Sequence, residues 1–89
     1  MSHKIIGIAD SNNPIQTDYV KNQLQSIKKQ FIDVEIEFNN ENSQLVNKYC
    51  RKPARFPTYI IMKNDIYKTH ITGKIDNSKL FEQLKAKLG

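Results

Sequence analysis

A single cysteine, Cys50, bounds the thiol chemistry open to this chain. One thiol cannot make an internal disulfide, a Cys-x-x-Cys redox pair or a zinc site built on several thiolates. As a lone nucleophile Cys50 would need a base or a helix N-terminus to hold it as the thiolate. No histidine lies near it in sequence, so it reads as a structural thiol, and such sparing use fits a reducing, cytoplasmic compartment. His3 and His70 belong to no Cys or carboxylate motif, so they are expected to face solvent, and no metal site is expected. Ser11, Asp10 and His70 are the residue types of a hydrolytic triad, yet no nucleophile elbow or oxyanion motif accompanies them. Lys48, Arg51, Lys52 and Arg55 place four bases within eight residues, just before Pro57. Such a run is either a solvated face or, where it flanks a cleft, a site for an anionic partner. The amides from Asn13 to Gln16, at a helix start, would add partial positive charge to that site.

The elements that must position these residues follow from pattern. Lys4–Ala9 (KIIGIA) is a short apolar, β-branched run that ends at the turn formers Asp10-Ser11-Asn12-Asn13, as in a strand buried on both faces. Asn13-Pro14 opens a helix, Asn as cap and Pro where no hydrogen bond is lost. Its apolar stripe is Val20, Leu24, Ile27 and Phe31, with Lys21, Gln25 and Lys28 toward water. Ile32–Phe38 alternates, so a strand with Val34, Ile36 and Phe38 on one face is expected. After a break at Asn39–Asn42, Ser43–Cys50 reads as a short helix burying Leu45, Val46 and Tyr49. Thr58–Met62 is an apolar strand, Lys63-Asn64-Asp65 a hairpin turn and Ile66–Ile71 the returning strand. Gly73 ends that strand. Asp76 or Asn77 then caps a final helix with Leu80, Phe81, Leu84 and Leu88 inward. A right-handed crossover makes the first two strands parallel neighbours, and the hairpin adds two antiparallel strands. The expected fold class is α/β, β-α-β-α-β-β-α around a four-stranded mixed sheet.

Length and composition narrow the function. Eighty-nine residues suit one domain, and residues 1–89 are read as one. Twelve Lys and two Arg against nine acids leave a net charge of +5, which mildly favours acidic partners. No apolar run approaches the ~18 residues of a membrane span. Met1-Ser2-His3-Lys4 leads straight into structure-like sequence, so no signal peptide is expected. The eight aromatic residues are not interleaved with bases as in RNA-binding sheets. Ile, Lys and Asn supply 33 of the 89 residues, the bias of an AT-rich genome such as a phage's.

The chain resembles the thioredoxin-like family. Phe56-Pro57-Thr58-Tyr59-Ile60-Ile61-Met62-Lys63-Asn64-Asp65 is similar to that family's Ile-Pro-Thr, apolar strand and Phe-Lys-Asn-Gly segment. Gly73, Leu80 and Leu84 fall where the family keeps a glycine and its last helix. Ala9-Asp10-Ser11-Asn12-Asn13-Pro14-Ile15 lies over Ala-Glu-Trp-Cys-Gly-Pro-Cys. The resemblance covers nearly the whole chain, lacks the extra N-terminal strand and helix of full thioredoxins, and has a small insertion near Pro53. It implies a cis Phe56–Pro57 bond and a groove in which the backbone of Phe56 pairs with bound peptide. It also implies that Asn12 and Ile15 stand at the two cysteine positions, Ser11 at the preceding aromatic, and Ile6 at a buried aspartate. Thiol–disulfide exchange requires a thiolate, so a redox-inactive member is expected, with no disulfide oxidoreductase activity, no catalytic residue and no cofactor.

The expected function is therefore a non-catalytic protein-binding module. Its degenerate active-site positions are Ser11, Asn12, Asn13, Pro14 and Ile15, and its partner-binding residues are Phe56, Pro57, Thr72, Arg51, Lys52 and Arg55. The partner would be an acidic protein or an extended peptide added as a strand, and the chain a monomer. The alternative is a glutathione-binding enzyme of the glutaredoxin or glutathione-transferase type, with Ser11 as activating hydroxyl. Against it, the Glu-Ser pair that holds glutathione in transferases is replaced by Thr72-Gly73-Lys74-Ile75-Asp76. A nucleic-acid binder, which would show a steep salt dependence, ranks third.

Overall fold

The computed structural model describes residues 3–40, 44, 48, 56–73 and 76–88. Its elements are β1 (His3–Ala9), α1 (Pro14–Gln30), β2 (Val34–Asn40), β3 (Thr58–Lys63), β4 (Ile66–Thr72) and α2 (Asn77–Leu88). Gln44 and Lys48 are helical; the rest of the helix expected at Ser43–Cys50 lies outside the described residues. The sheet runs β2-β1-β3-β4, with β1 parallel to β2 and antiparallel to β3, and β3 antiparallel to β4. This is the four-stranded mixed sheet expected from the sequence.

The period of two divides the sheet's side chains between its faces. Ile5, Ala9, Tyr59, Ile61 and Ile71 pack in one cluster with Val20, Leu24 and Ile27 of α1 and Leu80 and Leu84 of α2. Ile6, Ile8, Ile60 and Met62 form a second cluster, against which Phe56 and Tyr67 pack. α1 seats closely because of Gly7: a Cβ there would stand 2.8 Å from Val20 Cγ1 and 2.9 Å from Leu24 Cδ1. Lys28 and Lys29 in its last turn complement the helix dipole. At the start of α2, Asp76 Oδ1 accepts from the Lys79 N–H at 2.9 Å, which settles the cap between the two expected residues.

Two strand boundaries differ from the pattern. β2 begins at Val34 and not at Ile32, which is 74% exposed. The reason is local closure after α1: Phe31 N–H donates to the Ile27 carbonyl, and Val34 N–H to the Phe31 carbonyl. The ladder instead continues into Asn39 and Asn40, opposite Ile8 and Ala9. Phe31 lies at the edge of the apolar stripe, edge-on to Phe81 at 6.1 Å. Asn64 and Asp65 both take positive φ, 52° and 65°, as a two-residue hairpin turn requires.

Candidate functional site

β1 and β3 run antiparallel, so the end of β1 lies beside the start of β3, with Ile8 opposite Thr58. The loop from β1 into α1 therefore meets the turn that leads into β3. Between them is a cleft of about 270 Å³ lined by Asn13, Ile15, Gln16, Tyr19, Phe56 and Pro57. The Phe56–Pro57 peptide bond is cis. Pro57 is buried and Phe56 half-buried. The Pro57 carbonyl accepts from the Gly73 N–H at 2.9 Å, and Gly73 can do this because it takes φ +89°.

Gln16 joins the two walls. Its Oε1 accepts from the Asp10 N–H at 2.8 Å, and its Nε2 donates to the Phe56 carbonyl at 3.1 Å. One side-chain amide thus satisfies a backbone donor on one loop and a backbone acceptor on the other. Asn13 caps α1, its Oδ1 accepting from the Gln16 N–H at 3.0 Å. Asn13 N–H donates to the Asp10 carbonyl, and Asp10 Oδ1 accepts from the Asn12 N–H at 2.9 Å. The amides expected to await an anion between Asn13 and Gln16 are thus mostly in use. Those of Asn13 and Gln16 have partners, and Pro14 has no N–H.

Behind the cleft wall a polar chain runs into the core. Gln23 is buried on α1. Its Nε2 donates to Tyr19 Oη at 3.0 Å, and its Oε1 accepts from the hydroxyl of the fully buried Tyr59. Burial pushes the Tyr59 hydroxyl pKa well up, with Tyr19 adding to the shift, so Tyr59 stays a neutral donor.

Of the residues singled out in the sequence, Asn13, Ile15, Phe56 and Pro57 line this cleft, while Ser11, Asn12, Pro14 and Thr72 do not. Ile15 is 83% exposed. Thr72 is an exposed residue at the end of β4, opposite Thr58. Arg51, Lys52, Arg55 and Cys50 lie outside the described residues. Gln16 and Tyr19 were not anticipated as cleft residues. Asn13-x-x-Gln16 has the capping-box spacing and Tyr19 follows one turn later, a signal the sequence does carry.

The histidines differ from expectation. His3 is half-buried, and its Nε2 is buried without a hydrogen-bond partner. Desolvation, then the charges of Lys63 and Lys68, hold its pKa below the ordinary value. His70 is half-buried, its Nδ1 2.5 Å from the Tyr67 hydroxyl. Among the described residues, no group of three or more His, Cys, Asp or Glu is placed to hold a metal ion.

No family model matches the chain. No curated protein matches it in sequence. Solved structures do match in shape. Thioredoxin from Fasciola hepatica superposes with a TM-score of 0.73 at 15% identity, over 97% of this chain and 81% of that one. The chain has a thioredoxin fold. Oxidised thioredoxin O2 of Arabidopsis thaliana gives a TM-score of 0.69 at 12% identity, over 94% and 73% of the two chains. A malarial protein gives 0.74 at 14% identity, over 100% of both. At such identities the likeness speaks for the fold alone. On this thioredoxin fold the described cleft residues are amides, rings and an alkyl chain. With one cysteine in 89 residues, the dithiol reaction cannot be assembled within a single copy.

Proposed function

We propose that this thioredoxin-fold chain is a non-catalytic binding module whose cleft takes an extended segment of an acidic protein partner. The observation that carries the reading is the cleft itself: Gln16 and the Phe56-Pro57 turn hold it together, and its lining among the described residues is amide, ring and alkyl. Strand-like recognition of an extended peptide would use the Phe56 carbonyl, which the peptide would take over from Gln16 Nε2. Acidity of the partner is supported by the net charge of +5 and by Arg51, Lys52 and Arg55, which directly precede Phe56 in sequence. The first turn of α1 contains no acidic residue to offset its partial positive charge.

The test is a titration of isotope-labelled protein with the acetylated peptide Glu-Val-Glu-Val-Glu-Val, followed by backbone amide shifts. Shifts are expected at Asn13, Gln16, Tyr19 and Phe56. Changing both Arg51 and Arg55 to Glu should weaken binding by ~1–3 kcal/mol if the pairs are desolvated, and by less on a wet rim. Unmoved amides around the cleft at millimolar peptide would end this reading. Glutathione in the same titration examines the enzyme alternative, and generic DNA at two salt concentrations the nucleic-acid one.

A further inference from the structure

The two edges of the sheet are built differently. β4 is interrupted by an irregularity opposite Ile61/Met62 and carries Lys68, both devices that discourage strand pairing. β2 has neither. Its seven residues pair with β1 in unbroken register, and VEIEFNN contains no Pro and no Lys. Among the described residues, β1 is the only strand that pairs with β2. Val34 is already paired, its N–H with the Phe31 carbonyl and its carbonyl with Lys28 Nζ at 2.9 Å. The backbone donors and acceptors that face outward along this edge are therefore those of Ile36 and Phe38. Beside that row is a groove of about 310 Å³ lined by Lys21, Leu24, Gln25, Ile36, Glu37 and Phe38. Ile36 and Phe38 are half-buried there, and Lys21 Nζ lies 5.1 Å from the centroid of the Phe38 ring.

We propose that the outer edge of β2 is a second docking site, which receives an extended segment of another protein carrying Lys or Arg at alternate positions. A row of backbone groups on a strand edge is matched by another extended backbone. Alternation then fixes the side chains. On the α1 side the incoming strand must cover Ile36, Phe38 and Leu24, so its residues there are apolar. On the opposite face it meets Glu35 and Glu37, so its residues there are basic. β1 already shows the preference: its Lys4 Nζ lies 3.5 Å from Glu37 Oε1. The incoming strand repeats that pairing on the other side, chiefly with the exposed Glu35.

The same acids argue against a second copy of this chain. Antiparallel pairing of β2 with its symmetry mate about Ile36 would put Glu35 opposite Glu37, and shifting by two residues puts Glu35 opposite Glu35 or Glu37 opposite Glu37. An odd register avoids this only by turning the apolar face of one strand to the polar face of the other. The glutamates thus disfavour self-association and select a basic strand.

This site is independent of the cleft, and oppositely charged probes separate the two. The probe is acetylated Lys-Val-Lys-Val-Lys-Val, titrated into labelled protein, with amide shifts and hydrogen exchange read residue by residue. Shifts and slowed exchange are expected within Val34–Asn40, with the Glu-Val peptide at least fivefold weaker there. Glu35→Lys should weaken the Lys-Val peptide at least threefold, and Glu35→Lys with Glu37→Lys should reverse the preference. Retained circular dichroism in both variants shows that the fold persists; Glu35→Gln serves should either lose it. The proposal is overturned if the Lys-Val peptide leaves residues 34–40 unmoved at millimolar concentration, or if it moves Asn13, Gln16 and Phe56 instead. It is equally overturned if sedimentation shows the chain dimerising with protection at 34–40 and no peptide present.

Discussion

At the residue scale, the Tyr59–Gln23–Tyr19 chain is the feature with the sharpest energetic consequence. Gln23 is buried, and its Oε1 accepts from Tyr59. Tyr59→Phe keeps the ring and removes the donor, so a buried acceptor loses that partner, at a cost of about 1–3 kcal/mol. Replacing both members, Tyr59→Phe with Gln23→Leu, removes the polar groups together and should recover part of that loss. Urea denaturation of the double-mutant cycle measures the coupling, and strict additivity would show that the two side chains do not act as a pair. His3 supplies a pH dependence. Burial, with Lys63 and Lys68 nearby, lowers its pKa from 6.5 in the fold. Above that value the imidazole is neutral in both states and carries no penalty. As pH falls through it, the unfolded chain binds a proton that the fold resists, so stability declines until the folded pKa is passed. Wild type should therefore lose more stability than His3→Asn between pH 8 and pH 5, and parallel curves would contradict the burial argument.

At the element scale, local chemistry decides where each strand and helix starts and stops, and the β3–β4 hairpin is the place to test it. Asn64 and Asp65 both sit at positive φ, which costs most L-residues roughly 1–2 kcal/mol, and Asn and Asp less than the others. Asp65→Gly should raise stability by several tenths of a kcal/mol, the relief of positive φ being partly offset by glycine's greater chain entropy. Asp65→Val should lower it by about 1–2 kcal/mol, because a β-branched side chain suits that region worst. Thermal melts of the three proteins should rank Gly above Asp above Val. The hairpin was legible in Lys63-Asn64-Asp65 because turn residues act over two positions. The start of β2 was not. The alternation from Ile32 onward looked unbroken, and only the closure of Phe31 onto Ile27 and of Val34 onto Phe31 displaces Ile32 from the strand.

At the scale of the whole molecule, the fold gathers the cleft residues at the end of β1. A thioredoxin fold with one cysteine can present a cleft but not an intramolecular dithiol. In an insulin-reduction assay with dithiothreitol, the protein should match the protein-free blank. A faster rate, abolished by Cys50→Ser, would instead assign redox chemistry to that thiol. The cleft and the β2 edge are lined by different residues. The two proposals therefore predict that the Glu-Val and Lys-Val peptides do not compete.

The sequence by itself determined what depends on near neighbours. The α1 stripe, the Asn13 cap, the apolar β1 and β3 and the hairpin turn all rest on interactions within a few residues, and composition alone removed dithiol chemistry. The tertiary structure decided what depends on strand order. Gln16 reaches Phe56 across 40 positions, and Tyr59 reaches Gln23 across 36. Neither contact follows from any local period. Each requires β3 to lie antiparallel beside β1, which brings the Phe56-Pro57 turn to α1, and the close seating of α1 over Gly7. The lining of the cleft, and the exclusion of Ser11, Asn12 and Thr72 from it, follow from that packing.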